Sequence, residues 1–141
     1  MKEEIKVLKA AAIAQKETGA PVFVHQPLFE THACKILDIL EKEGAGLDRV
    51  VMCHCDPTLD MAEYHDSIAK MGARIGYDQF GLEIMALEGR FLPRDIERIR
   101  AIKKQIENRN LTKIVVSQDV CFKTCLVKYG GCGVASPFGG C

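Results

Sequence analysis

Two histidines and two aspartates stand where short apolar segments of this sequence end. His25, His54, Asp78 and Asp119 close segments that begin at Pro21, Arg49, Ala73 and Lys113. Imidazole nitrogens and carboxylate oxygens are ligands for Zn²⁺ and similar divalent metals. A metal there could polarise a carbonyl or phosphoryl oxygen and lower the pKa of a bound water, and a nearby carboxylate could take its proton. One interpretation is therefore that these four residues form a metal site. The other is that they are structural residues held by hydrogen bonds.

The elements that must position these residues alternate along the chain. Helical periodicity covers residues 3–17, 31–43, the segment from Met61 to Ile68, and the segment after Pro93. Residues 79–92 read as a long loop. The predicted buried face of the last helix is Ile96, Ile99, Ile102 and Ile106. Alternating helices and strands predict a parallel sheet, either doubly wound and open or part of a (β/α)8 barrel. In both folds ligands bind at the carboxyl ends of the strands.

The remaining histidines and the cysteines predict little chemistry. His32 precedes a helix and His65 lies on an amphipathic face, so both are predicted to be structural or surface residues. The seven cysteines are odd in number and no signal peptide is apparent, so reduced thiols are expected. Cys121, Cys125 and Cys132 match no standard zinc spacing. The sequence also lacks a G-x-S-x-G elbow and the glycine motifs of nucleotide-binding loops.

Composition excludes several protein classes. The chain has 141 residues, of which 48% are hydrophobic and 27% charged, which is typical of a folded domain rather than a disordered one. No apolar run approaches the ~18 residues of a membrane span. The 19 basic and 19 acidic residues balance, which argues against a nucleic-acid binder. We therefore expect a cytoplasmic protein with neither a nucleic-acid nor a membrane partner.

Four segments in this order resemble phosphotriesterase-family proteins of the amidohydrolase superfamily. They are Pro21–His25, Arg49–Asp56, Ile75–Gly81 and Ile114–Asp119. The segment Lys123–Gly131 is similar to the phosphotriesterase-related branch of that family. The resemblance extends to about Gly133, so we expect a family-like region over residues 1–133 and a divergent Gly- and Cys-containing tail over residues 134–141.

The resemblance implies an α/β fold that is the C-terminal half of a (β/α)8 TIM barrel, with strands five to eight. It implies that His25 and His54 bind one metal, and that Asp119 binds a second metal and accepts or relays a proton. The implied cofactor is a divalent metal, Zn²⁺, with two ions in a complete site. The implied reaction is attack by a metal-activated hydroxide on a small-molecule ester, lactone or phosphoester. The substrate-pocket candidates are Tyr77, Asp78 and Gln79.

The sequence departs from the family pattern in ways that matter for the metal site. It contains no H-x-H pair, and no lysine stands where the family has a bridging carboxylated lysine. Gln79 stands where phosphotriesterases proper have a proton-relaying histidine, and Gly131–Gly133 replaces a Gly-His-Gly segment. We therefore expect at most one weakly held metal, bound through His25 and His54, and little turnover by this chain.

Three functions are left open. The first is a truncated metal-dependent hydrolase. The second is a non-catalytic half-barrel that associates with itself or with another chain, such as a missing N-terminal half. The third is an independent α/β domain that binds a small ligand. The last has the least support because no phosphate-binding glycine loop is present.

Overall fold

A computed structural model describes residues 2–83, 86–87 and 89–129 of the chain. Helices and parallel strands alternate along it, as the sequence predicts. The helices are α1 (Lys2–Thr18), α2 (Ala33–Lys42), α3 (Ala62–Lys70) and α4 (Asp95–Glu107). The strands are β1 (Val22–His25), β2 (Val50–Cys53), β3 (Arg74–Tyr77), β4 (Ala86–Leu87), β5 (Arg90–Phe91) and β6 (Ile114–Val116).

Four of these strands form a parallel sheet in the order β1-β2-β3-β6. His25 lies beside Cys53 in the register of β1 and β2, and Tyr77 lies beside Val116 in that of β3 and β6. The carboxyl ends of all four strands therefore share one rim. Within the described residues β1 and β6 each pair on one side only, so they are the two edges of the sheet. The predicted α/β fold with parallel strands is confirmed.

Helices pack against one face of this sheet. Val24, Met52 and Ile75 of the first three strands share a single core with Leu37 of α2 and Ile68 of α3. Side chains alternate across a strand, so the neighbours of these residues face the other way.

The opposite face of the sheet is more open at its β1 edge. Phe23, which precedes the buried Val24, is 63% exposed, and His25 is exposed as well. Val51, the register partner of Phe23 in β2, is only 5% exposed. Phe23 is thus a large aromatic side chain left open on an edge strand.

The predicted buried face of α4 is wrong at three of its four positions, and only Ile102 packs against the core. Ile96, Ile99 and Ile106 are 46%, 53% and 44% exposed, whereas Arg98 is fully buried. Arg98 turns inward because its Nε lies 2.7 Å from Oδ1 of Asp56, which is also fully buried. This ion pair joins residues far apart in the chain, so local hydrophobic periodicity could not reveal it.

The predicted loop over residues 79–92 contains a small antiparallel hairpin. Its strands, β4 and β5, have two residues each, and Ala86 lies opposite Phe91. Two residues are too few for an alternating pattern to be recognised.

The other helices agree better with the sequence. Ala33, Leu37 and Leu40 of α2 are fully buried, as their spacing predicts. His65 lies buried in α3 and His32 is exposed before α2. The cysteines within the described ranges are free thiols. No helix in the described part of the chain is both long and apolar enough to cross a membrane.

Candidate active site

The rim of the sheet brings the two predicted histidines into contact. His25 ends β1, and His54 directly follows β2. Nε2 of His54 lies 2.8 Å from Nδ1 of His25, and the two ring centres are 4.5 Å apart with an interplanar angle of 77°. Each ring therefore presents one nitrogen to the same small volume at the carboxyl end of the sheet.

Asp78, which follows β3, fixes the orientation of His54. Its Oδ1 lies 2.9 Å from Nδ1 of His54, and its two oxygens accept the backbone N–H of His54 at 3.0 and 3.1 Å. A proton on Nδ1 donates to Asp78, which leaves the lone pair of the neutral ring on Nε2, facing His25. The hydrogen bond to Asp78 also raises the pKa of His54 above its ordinary value.

Asp119 follows β6 and approaches the same histidine. Its Oδ2 lies 4.0 Å from Nδ1 of His54, and its side chain is about one-third exposed. Both residues have backbone conformations that non-glycine residues rarely adopt, with φ of 57° at His54 and 47° at Asp119. Such strain persists where the surrounding structure holds it, and it concentrates at functional sites. The backbone thus turns both side chains toward the rim.

The histidine pair fits two ligands of one metal. For metal–nitrogen bonds of about 2.0–2.1 Å, tetrahedral zinc needs ligand nitrogens about 3.3 Å apart. The observed separation of 2.8 Å requires a movement of about half an ångström. The carboxylate behind His54 matches the usual arrangement in which a metal-bound histidine donates its other N–H to an acceptor. Among the described residues, however, no group of three or more His, Cys, Asp or Glu side chains is arranged to hold a metal ion.

A second layer of charge supports this rim, and the sequence did not reveal it. One oxygen of Asp56 accepts a hydrogen bond from the backbone N–H of Asp78 at 3.1 Å. Its other oxygen forms the ion pair with Arg98. Arg98 also donates to Asp95 at 2.7 Å, and Asp95 accepts the backbone N–H of Gly81 in the segment after β3. Burial raises the pKa of Asp56 to about 6, although the charge of Arg98 acts in the opposite direction. The ion pair therefore links α4 to the residue that orients His54.

Gly76 allows β2 and β3 to approach closely beneath the histidines. A Cβ atom at this position would lie 2.9 Å from the backbone oxygen of Met52 and 3.3 Å from Oδ2 of Asp78. The first separation is shorter than real Cβ contacts, and it involves backbone that cannot rotate away. Glycine is thus required here because the two strands approach closely beneath the site, and not because the backbone makes a turn.

Tyr77, a substrate-pocket candidate, is directed into the core instead of toward the rim. It is fully buried, and its hydroxyl lies 2.8 Å from Nδ1 of His65. Nε2 of His65 lies 2.9 Å from Oγ1 of Thr58, so both ring nitrogens are hydrogen-bonded. Burial lowers the pKa of His65 to about 4. This placement does not fit a residue that contacts substrate.

The other two pocket candidates differ from each other. Asp78 is 8% exposed and is engaged by His54, which makes it a positioning residue. Gln79 is 3% exposed, and its side-chain oxygen has no hydrogen-bond partner in the described structure. A buried acceptor without a partner is unusual, and it would take a donor from a water or a ligand.

Gln26 fixes the chain that leaves β1, a second feature that sequence patterns did not indicate. It is buried and donates to the backbone oxygen of Cys53 at 2.9 Å. The hydroxyl of Tyr64 donates to Gln26 at 2.9 Å and accepts the backbone N–H of Ala33 at the start of α2. This network joins the ends of β1 and β2 just beside the two histidines.

Comparison with known proteins identifies the family. The family model described as "Phosphotriesterase family" matches residues 1–136. The chain belongs to the phosphotriesterase family. It is 35% identical over 135 residues to a phosphotriesterase-related protein from Nematostella vectensis, and 37% identical over 134 residues to the N-acetyltaurine hydrolase of Homo sapiens. These matches cover 94% and 92% of this chain but 39% and 38% of the relatives.

Solved structures have the same fold. A resiniferatoxin-binding protein from Rhodobacter sphaeroides matches with a TM-score of 0.90 and 38% identity, over 96% of this chain and 38% of that protein. The phosphotriesterase homology protein from Escherichia coli, solved with phosphate in its active site, matches with a TM-score of 0.80 and 29% identity, over 93% and 42% of the two chains. The parallel α/β fold is thus similar to that of the family's TIM-barrel proteins, and the chain spans about two-fifths of the length of the relatives it matches.

Two sequence-based expectations fall outside the described residues. These are the replacement at Gly131–Gly133 and the divergent tail over residues 134–141.

Proposed function

We propose that this chain is the C-terminal half of a (β/α)8-barrel hydrolase that depends on a divalent metal, most simply Zn²⁺. The observation that carries the proposal is the pair of nitrogens from His25 and His54, 2.8 Å apart, with Asp78 fixing the tautomer of His54. The family-like region is residues 1–133 and the divergent tail is residues 134–141.

The chain's own residues have separate roles in this proposal. His25 and His54 hold the ion, and Asp78 keeps His54 in the tautomer that can bind it. When bound, the metal supplies a Lewis acid and lowers the pKa of a coordinated water. Asp119 is a ligand of the complete family site and the residue that accepts the proton. Its partial exposure supports contact with solvent, and its Oδ2 lies 4.0 Å from Nδ1 of the His54 ring, whose other nitrogen holds the ion in this proposal.

We propose an ester, lactone or phosphoester as the substrate. The name of one family relative extends this list to an amide. Hydrolysis of N-acetyltaurine, which the human relative's name specifies, breaks an amide bond. All these reactions put negative charge on an oxygen at the attacked carbon or phosphorus, so one electrophilic site serves each of them. We expect the unpartnered side-chain oxygen of Gln79 to accept a hydrogen bond from a donor group on the substrate.

The isolated chain is expected to bind at most one ion and to turn over slowly. The sequence has no H-x-H pair and no equivalent of the bridging lysine, so ligands for a second ion are missing. The short match to relatives, about two-fifths of their length, supports an incomplete site.

Zinc titration by calorimetry, with mass spectrometry of the dialysed protein, tests the site. We expect no more than one ion per chain, and at least tenfold weaker binding in His25→Ala and His54→Ala. The control is His32→Ala, which removes an exposed histidine and should leave binding unchanged. Two ions per chain retained through dialysis, or unchanged binding in both site variants, would contradict the proposal.

A turnover assay tests the incomplete site separately. We expect slow hydrolysis of a lactone, a phosphotriester and N-acetyltaurine by the purified chain. Efficient hydrolysis that disappears in Asp119→Asn would mean that the site is complete after all.

A second candidate function is a non-catalytic half-barrel that associates with itself or with another chain. The open β1 edge and the 63% exposed Phe23 on it favour this function.

A further inference from the structure

The segment that follows β3 is anchored at both ends by carboxylates from other parts of the chain. The backbone N–H of Asp78 donates to Oδ2 of Asp56 at 3.1 Å, and that of Gly81 donates to the two oxygens of Asp95 at 3.0 and 3.2 Å. Gln79 lies between these two anchors. The backbone path that carries both Asp78 and Gln79 is therefore set by groups outside the segment.

One guanidinium group holds both anchoring carboxylates. Nε of Arg98 donates to Oδ1 of Asp56 at 2.7 Å, and its Nη1 donates to Oδ1 of Asp95 at 2.7 Å. The planar guanidinium presents its N–H donors in fixed directions, so it also fixes the two carboxylates relative to each other. Because Arg98 and Asp56 have no exposed surface, further chain packed beside the sheet would leave this contact as it is.

Stability alone does not account for this buried arginine. A buried ion pair is often no more stabilising than apolar side chains of similar volume. Nη2 of Arg98 is buried and has no hydrogen-bond partner among the described residues, and a buried donor without a partner lowers the free energy of unfolding. What the guanidinium supplies, and an apolar side chain cannot, is a fixed direction for two carboxylates.

We propose that Arg98 is a positioning residue of the metal site and acts on the ring of His54. Arg98 donates to Asp56, which accepts the backbone N–H of Asp78. The carboxylate of Asp78 in turn accepts the Nδ1 proton of His54 and keeps Nε2 of that ring directed toward His25. The inference rests on the proposed metal function and deepens it, because it assigns the support of the metal-binding ring to a helix remote from the ion.

Zinc titration by calorimetry tests this role. Arg98→Lys keeps the positive charge, but a single ammonium group cannot hold two carboxylates in the fixed geometry of the guanidinium. We expect zinc affinity to fall about tenfold, the lower end of the loss that is usual for groups behind a metal ligand. The matched control is Gln105→Met, which removes a buried side chain that donates to the backbone oxygen of Ala62 and lies on the same helix. The control should bind zinc like the wild type, and wild-type affinity in Arg98→Lys would overturn the proposal.

Two double variants separate positioning from folding. Arg98→Met with Asp56→Leu replaces the ion pair by apolar side chains and removes the acceptor of the Asp78 N–H, whereas Arg98→Met with Asp56→Asn keeps an acceptor there. Neither variant has an unpaired charge at the buried pair, so we expect both to fold, with the circular dichroism of the wild type. The variant with asparagine should bind zinc several times more tightly than the variant with leucine. Equal zinc affinities in the two would reject the path through Asp78.

Nitrogen NMR of the metal-free chain distinguishes failure of this proposal from failure of the proposed metal function. At alkaline pH, where the His54 ring is neutral, the wild type and Gln105→Met should show one tautomer, with the proton on Nδ1. Arg98→Lys should show a mixture of tautomers. If the wild type binds no zinc, the metal function fails and the tautomers decide the positioning role. A mixture confined to Arg98→Lys would then support that role, and the wild-type tautomer in this variant would overturn it.

Discussion

The carboxylate of Asp78 contacts His54 at two points, 2.9 Å from the ring Nδ1 and 3.0 Å from the backbone nitrogen. The same group therefore fixes the ring rotation, the tautomer and the left-handed backbone of His54, whose φ is 57°. The hydrogen bonds to Asp78 keep Nε2 of His54 directed toward His25. The proposed site thus depends on a residue that touches neither the metal nor the substrate.

Loss of the carboxylate charge should weaken metal binding without unfolding the chain. Asp78→Asn retains an acceptor of similar shape but removes the charge that favours a proton on Nδ1. We expect zinc affinity, measured by calorimetry, to fall about 10–100-fold, as is usual when the acceptor behind a metal-bound histidine is changed. Asp38→Asn, on the exposed side of α2, is the control and should bind zinc like the wild type. Equal affinities in the two variants would remove Asp78 from the site.

Breaking the buried Arg98–Asp56 pair should lower the free energy of unfolding far more than breaking a surface ion pair. Arg98→Met strands a fully buried carboxylate, and removing one partner of such a pair costs about 3–5 kcal/mol. Urea denaturation measures this loss in the free energy of unfolding. Arg100→Met, an exposed position on the same helix, should change it by less than about 0.5 kcal/mol.

Neutralising the partner should rescue the Arg98 variant. Asn at position 56 has no charge to leave unpaired, and its oxygen can still accept the backbone N–H of Asp78. We therefore expect the Arg98→Met, Asp56→Asn double variant to be more stable than Arg98→Met alone. Additive losses in the double variant would mean that the two side chains do not act as a pair.

Strand ends were the part of the site that sequence could predict. His25 ends a short apolar strand, and His54 and Asp119 follow two others. The alternation of helices and strands places such ends on one rim. The contact between the two histidines is then a consequence of β1 and β2 being neighbours.

The supporting layer could not be predicted in this way. Asp56, Arg98 and Gln26 act through contacts between distant segments, and no local period records such contacts. In α4 the isoleucines at three- and four-residue spacing predicted a buried face that is wrong at three of its four positions, because a buried ion pair outweighed the hydrophobic pattern. One signal was available, an arginine standing between two isoleucines of that stripe, Ile96 and Ile99.

A methyl group at Gly76 should disturb both the sheet and the site. Gly76→Ala places Cβ 2.9 Å from the backbone oxygen of Met52, so β2 and β3 must separate locally. We expect a loss of about 1–3 kcal/mol in urea denaturation, typical of overpacking, together with weaker zinc binding. Gly46→Ala is the control, because its nearest neighbour is the carboxylate of exposed Asp48, which can rotate away. A Gly76→Ala chain of wild-type stability would refute the close approach of the strands.

His65 should make the fold sensitive to acid. Burial between Tyr77 and Thr58 lowers its pKa from 6.5 to about 4, so the folded chain keeps this ring neutral. Above pH 6.5 the ring is neutral in both states and its contribution to stability is fully present. Between pH 6.5 and about 4 the unfolded chain binds a proton at His65 that the folded chain does not bind. The free energy of unfolding therefore falls by about 3 kcal/mol. Urea denaturation at pH 7 and pH 4.5 should therefore give a smaller difference in His65→Gln than in the wild type, although the variant is less stable at pH 7. His32→Gln, at an exposed histidine, should keep the wild-type difference, and an unchanged difference in His65→Gln would mean that another group is responsible.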